Sequence, residues 1–422
     1  MNKSNRTNVI VLGGGYAGTL AALRLAGKTK GCSVTVTLVN GHDHFVERIR
    51  HHQLATGQTR PPFPFSRLLA GSGVRFRQGW CTEIRPATKA LVLQTPTGSE
   101  TLAYDYLIYA LGSTVDKNEM AGIEVAADTP IYTLGDEADV QKLAAQLPAL
   151  ATNRGRLLIV GGGLTGMEAA AEVAEQYPQL QVTLVTNGKL GATLSPAGAA
   201  HLHRVFARLG INVVEDMMIK RLTRQAAHSH DGRTLPFDGS LWAGSFVVSQ
   251  VAAAAGLLVD TKGRVWVDES LRVVDNPTIY VAGDAAATGL RMACATAMPM
   301  GAYVADHLAA QLLGEPCPAP FRFSYLLQCI SLGRHNGLVQ LVHEDDRPKS
   351  RILTGWLAAR IKELICRFTV WSLLWEKRWP GLYTWLQSSL PVSSLPVSSL
   401  PRTSHVSAAK EGAHYGRTTA TL

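Results

Sequence analysis

Two stretches, VIVLGGGYAG at 9–18 and LLIVGGGLTG at 157–166, place three glycines at one spacing after a run of branched apolar residues. Gly13, Gly15 and Gly18 form the first triplet; Gly161, Gly163 and Gly166 form the second, 148 residues further on. Such a triplet is a weak signal alone and gains weight when it follows a strand and opens a helix. The first glycine then permits a tight turn, the second lets the backbone approach a pyrophosphate, and the third lets the helix pack closely on the strand. The helix N-terminus faces the phosphates with its unpaired N–H groups. Both copies have this context. TLAALRLAG and MEAAAEVAEQ continue as helices, and VTLVN at 36–40 and VTLVT at 182–186 supply the next strands. Two βαβ units predict two bound dinucleotides.

The strand end that ordinarily offers an acidic side chain to an adenosine ribose carries Asn40 in the first unit and Thr186 in the second. Asn40 can still hydrogen-bond a ribose hydroxyl. With no carboxylate at Thr186 or Asn187, and Lys189 close by, the second unit need not repel a 2′-phosphate, so NADH and NADPH both stay open.

A third phrase, NPTIYVAGDAAA at 276–287, reads as a strand ending in Gly283 and Asp284, and YDYLIYALGS at 104–113 as a strand ending in Ala110, Leu111 and Gly112. With the two glycine turns, these resemble the two-dinucleotide-binding flavoproteins of the pyridine nucleotide-disulfide oxidoreductase type. The narrower likeness is to type II NADH dehydrogenases and apoptosis-inducing-factor-like reductases, over roughly residues 7–340. The family usually has ATG where this chain has Ala110, Leu111, Gly112, and the glycine is kept. The resemblance implies FAD on Gly13, Gly14, Gly15, Ala17, Gly18, Asn40, Ala110, Gly112, Gly283 and Asp284, and NAD(P)H on Gly161, Gly163 and Gly166. The segment HFVERIRHHQLATGQ at 44–58 resembles a subset of these reductases in which Arg48 lines the FAD, where it would bond the pyrophosphate. Cys81 stands where the family contacts adenine through its backbone. Glu168, just after Gly166, matches a glutamate kept near the nicotinamide and flavin rings; its other reading is stabilisation of the helix dipole in the first turn.

These features predict an α/β chain of two Rossmann-like domains, with the NAD(P) domain inserted in the FAD domain, plus a small C-terminal interface domain bearing an amphipathic helix. The expected units are 1–120 (FAD, first part), 121–256 (NAD(P)), 257–313 (FAD, second part), 314–386 (interface domain and helix) and 387–422, a Ser- and Pro-rich tail expected to be disordered. A length of 422 residues suits two or three domains, and 46% hydrophobic with 17% charged residues excludes a collagen-like or largely disordered chain.

Six cysteines with no CxxC or CxxxxC pair disfavour dithiol chemistry, and with it disulfide and sulfide:quinone reductase functions. Histidines at 42, 44, 51, 52, 201 and 203 lack partners at a metal-ligand spacing, so no metal is expected. In RMACATAMPMGAYVADHLAAQL at 291–312, a helix is expected to start near Thr296 to Met300 and aim its N-terminus at the flavin. In the quinone-reducing relatives this stretch borders the acceptor pocket; Cys294 is read as packing.

Residues 347–380 carry a local charge of +6 within a total of +9, and 356–386 hold five of the eight Trp. Leu357, Ile361, Leu364, Phe368, Trp371 and Trp375 recur at spacings of four and three, with Arg360, Glu363 and Arg367 to one side, while Val370, Leu373 and Leu374 interrupt the polar face. Trp, Lys and Arg along an amphipathic helix suit a membrane interface; packing on the body or on a dimer partner is the other reading. No run long enough to span a bilayer occurs, and the amino terminus reads as no secretory signal. The expected protein is therefore cytoplasmic, peripheral on the inner membrane face, and passes electrons from NAD(P)H through FAD to a quinone. A soluble reductase of a ferredoxin- or rubredoxin-like protein and a redox signalling protein are the alternatives. A homodimer stays open, and nucleic acid is not an expected partner.

Overall fold

The computed structural model describes residues 6–115, 124–126, 129–244, 246–389 and 392. The expected boundary near residue 120 and almost all of the tail expected to be disordered lie outside them.

Branched apolar runs buried on both faces form the centres of two parallel sheets. The first sheet has the strand order Arg272–Val273, Asn276–Val281, Tyr106–Tyr109, Thr7–Leu12, Val34–Asn40, Arg75–Gln78, parallel except for the antiparallel edge strand Arg272–Val273. The second is parallel throughout, in the order Ile131–Thr133, Gly239–Trp242, Arg156–Val160, Gln181–Val185, Asn212–Val214. Thr7–Leu12 and Arg156–Val160 each have the chain's next strand on one side and a much later strand on the other. The sheet order therefore reverses where each glycine turn leaves its strand, and ligands of open α/β sheets bind at such switch points.

The chain passes between the sheets twice, along Ser113–Val115 and Phe246–Val248, which pair antiparallel. The second part of the first sheet continues into the helix Cys294–Leu313, which begins two residues before the expected Thr296. It crosses the helix Tyr16–Lys28 so closely that a Cβ on Gly301 would stand 2.2 Å from the Ala17 carbonyl oxygen.

A three-stranded antiparallel sheet, Leu327–Ser331, Gly337–Val342 and Pro348–Thr354, leads into the 24-residue C-terminal helix Gly355–Arg378. Ala358, Cys366, Thr369, Ser372, Leu373 and Glu376 are buried against the body, and Val370 and Leu374 pack on the same core. The residues that interrupt the polar face in the sequence are thus the docked face. Ion pairs fix this helix in place: Arg50 grips Glu363 with two nitrogens at 2.8 and 3.1 Å, and Arg24 lies 3.3 Å from the fully buried Glu376. Breaking a buried pair of this kind by removing one partner costs about 3–5 kcal/mol.

Candidate functional site

At the first glycine turn, Gly13 has φ +110°, and a Cβ there would stand 2.3 Å from the Ala110 carbonyl oxygen; one on Gly18 would stand 1.9 Å from the Gly13 oxygen. These two positions close the turn on itself. Gly15 is different: its φ is ordinary at −74°, and a Cβ would meet nothing within 4 Å. It is the N-cap of the helix Tyr16–Lys28, which has no side-chain cap and no acid in its first turn. Free N–H groups therefore point into space that only glycine leaves open, the arrangement a pyrophosphate needs. Asn40 Oδ1 accepts from the Gly14 amide at 2.8 Å and Nδ2 donates to the His42 carbonyl at 3.0 Å. Asn40 thus clamps the turn.

Three further segments converge beside this turn. The Ser113 hydroxyl donates to Asp284 Oδ2 at 2.6 Å, and Arg48 Nη1 donates to the Ser113 carbonyl. Burial pushes the Arg48 pKa down, although the Asp284 charge supports the guanidinium. Gly112 and Gly283 both have positive φ, +68° and +78°, and a Cβ on Gly283 would touch Ala17 and Ala297. Cys81, at the start of the strand Trp80–Arg85, donates its thiol to the Glu83 carbonyl at 3.4 Å, and burial pushes its pKa up to about 11.

The second turn repeats the design. Gly161 has φ +123°, a Cβ on Gly166 would lie 1.9 Å from the Gly161 oxygen, and Gly163 opens to space at φ −74°. A Cβ on Gly162 would lie 2.6 Å from Thr186 Oγ1, just as one on Gly14 would meet Asn40. A Cβ on Gly161 would stand 3.0 Å from the Ala243 carbonyl carbon and the Gly244 nitrogen, the counterpart of Ala110 over Gly13. Sequence reading missed this element; LWAG at 241–244 echoes YALG at 109–112, and that likeness was the available signal.

Glu168 is buried where the inserted sheet, the C-terminal sheet and the C-terminal helix meet. Its Oε1 accepts from the Ser331 amide at 2.9 Å and from Lys362 Nζ at 2.9 Å, and Oε2 lies 3.9 Å from His52 Nδ1. Burial alone would raise the Glu168 carboxyl; Lys362, His52 and the Ser331 amide more than offset it and hold it below its ordinary value. Burial would also lower Lys362, yet the Glu168 charge keeps it well above the usual amine range. The pair is therefore ionised at neutral pH. A cap on the helix dipole would need none of these partners. Two shallow clefts, one around Lys220 and His228 and one around Asp306 and Glu315, contain none of the residues of these sites.

A family model for pyridine nucleotide-disulphide oxidoreductases matches residues 7–305. The chain belongs to the pyridine nucleotide-disulphide oxidoreductase family. Among its relatives, a demethylphylloquinone reductase of Synechocystis sp. is 28% identical over 355 residues, covering 78% of this chain and 85% of that one. The fold is shared with a sulfide:quinone oxidoreductase of Aquifex aeolicus, at a TM-score of 0.74, 18% identity and coverage of 87% and 91%. It is also shared with NDH2 of Plasmodium falciparum, solved with NADH, at 0.72, 15% and coverage of 89% and 99%. The protein is an FAD-dependent NAD(P)H oxidoreductase, close in kind to type II NADH dehydrogenases.

Cysteines far apart in the sequence, Cys294, Cys329 and Cys366, come together around Lys362. All six cysteines are free, and burial pushes Cys294 up to about 12 and Cys366 up to about 11, so both remain thiols. Both feel the Lys362 charge, and Cys294 also feels Cys366, which places them beside the Glu168 pair.

Sequence reading picked out Glu168 and missed Lys362, Ser331 and His52, which come to it from 163 residues away in the case of Ser331. His52 gives a stability prediction. Burial pushes its pKa down to about 4, whereas the unfolded chain titrates near 6.5. Between these values the unfolded state holds the proton and the folded state does not, so stability is full above pH 6.5 and falls as the pH drops toward 4. The loss from this group is ~3 kcal/mol at full development. The thermal midpoint, followed from pH 7.5 to 4.5, is expected to drop less steeply in His52→Gln than in the wild type; parallel profiles would contradict the assignment.

Proposed function

We propose that the oxidoreductase passes the electrons taken from NAD(P)H to a quinone, while its C-terminal helix lies on the cytoplasmic face of a membrane. The observation that carries this reading is the double use of one helix. Its inner side brings Lys362 to Glu168, and its outer side exposes Trp356 (69%), Leu364 (55%), Phe368, Trp371 and Trp375, followed by Trp379, Leu382 and Leu386. Arg360, Arg367 and Arg378 are exposed alongside. On that face Trp375 packs against both Phe368 and Trp371; exposed aromatics in contact mark an interaction site, and interleaved Trp and Arg favour an interfacial one over a protein partner. No helix among the described residues is long and apolar enough to cross a membrane.

The residues divide the work. The first glycine turn, Arg48, Ser113 and Asp284 would hold FAD, which supplies two-electron chemistry when bound. The second turn would hold the nicotinamide cofactor, and Glu168, fixed by the Ser331 amide, orients its ring. Lys362 fixes the Glu168 carboxylate from the C-terminal helix, at 2.9 Å from Oε1. The kinship to a demethylphylloquinone reductase supports a quinone acceptor.

The test is anaerobic reduction by NADH or NADPH, reoxidation by a soluble quinone or by ferredoxin, and flotation with anionic vesicles. Quinone is expected to reoxidise the flavin within the turnover time, and Trp371→Ser/Trp375→Ser to lose the vesicles while still reducing soluble quinone. Reoxidation by ferredoxin alone, or a wild type that ignores vesicles and becomes monomeric only in the variant, would replace this reading with a soluble reductase or a dimer face.

A further inference from the structure

NADPH differs from NADH by one phosphate on the adenosine ribose, so selectivity depends on the charges at the end of the strand Gln181–Val185. The residue after that strand is Thr186, which is buried under Gly162 and offers no carboxylate. Beyond it, the Lys189 ammonium lies 2.5 Å from Asp216 Oδ2 and 3.2 Å from Glu215 Oε2. Glu215 and Asp216 directly follow the neighbouring parallel strand Asn212–Val214, so the sheet delivers them to the same end. Glu215 Oε1 also accepts from the Leu190 amide at 2.8 Å, which fixes the loop that carries Lys189. The other cation here, Arg233, is held by Asp231 at 2.7 Å and donates to the Asp216 carbonyl. Two permanent cations thus face three carboxylates, with His203 3.9 Å from Glu215.

We propose that Glu215 and Asp216 make the enzyme selective for NADH, by neutralising Lys189, which a 2′-phosphate would otherwise engage. The inference rests on the second glycine turn being the nicotinamide cofactor's site. A 2′-phosphate carries close to two negative charges. To meet it, Lys189 would have to leave both carboxylates, which would then face the phosphate unpaired. The 2′-hydroxyl of NADH makes no such demand. The carboxylate that the strand end lacks is supplied from the next strand.

Anaerobic flavin reduction at varied coenzyme concentration gives an apparent Kd for NADH and for NADPH. The wild type is expected to bind NADPH at least ~10-fold more weakly. Glu215→Gln/Asp216→Asn should shrink that ratio by ~10-fold or more, and adding Lys189→Ala should reverse part of that change. Asp216→Asn alone, at an exposed site, should move the ratio the same way by less, and it carries the test if the double variant loses its flavin. Equal affinity, a preference for NADPH, or a ratio unmoved in these variants overturns the proposal. Flavin reduced by neither coenzyme overturns the reading of the second turn itself.

Discussion

Gly15→Val is expected to give a folded but colourless protein. Its backbone, at φ −74° and ψ −169°, is one that valine adopts without strain, and its Cβ meets nothing within 4 Å. The cost to the fold is that of a poorer helix N-cap, about 1 kcal/mol. The side chain fills the space in front of the uncapped helix N-terminus, where the pyrophosphate of FAD would take its hydrogen bonds. Losing two charge-assisted bonds at about 1.5–3 kcal/mol each weakens binding by roughly 100-fold or more. The measurement is the flavin-to-protein ratio after purification, beside a thermal melt. A yellow Gly15→Val protein of normal stability would place the flavin elsewhere. Gly18→Val is no substitute for this test, because its Cβ would stand 1.9 Å from the Gly13 oxygen and disrupt the turn itself.

Gly163→Val is the matching change in the second turn and should separate the two cofactors. Gly163 has the same open position and ordinary backbone, at φ −74° and ψ 177°. The variant should stay yellow and melt like the wild type, because Gly163 lies in the inserted sheet's turn and touches neither Arg48, Ser113 nor Asp284. Its flavin should be bleached by dithionite but not by NADH or NADPH at concentrations that reduce the wild type at once, with an apparent Kd raised roughly 100-fold or more. If Gly163→Val lost its flavin while Gly15→Val kept it, the roles of the two turns would be exchanged.

The C-terminal helix explains how one element can serve both the site and the surface. A helix held only by an apolar stripe could rest that stripe on the body and leave nothing outside. Here the docked face combines Leu373, Val370 and Leu374 with small residues and compensated charges, Ala358, Thr369, Ser372 and Glu376, with Lys362 paired to Glu168. The long aromatic side chains are thereby left for the outside. Placing Lys362 within 2.9 Å of Glu168 needs the rigid seat that Arg50–Glu363 and Arg24–Glu376 provide.

The sequence alone determined the two glycine turns, the strands and helices around them, the Gly-Asp phrase that ends a strand of the first sheet and the amphipathic character of the last helix. Each of these is a local pattern: a spacing of glycines set by backbone contact, or a periodicity set by one element's burial. The tertiary structure decided the rest. It showed that Asn40 clamps the first turn, that Ser113 joins Arg48 to Asp284 across 171 residues, and that Glu363 answers Arg50 across 313. It also chose which face of the C-terminal helix is buried, where the sequence offers two apolar strips and no means to rank them. Partners of this kind meet only because packed sheets and helices bring distant segments together, and no spacing along the chain encodes that approach.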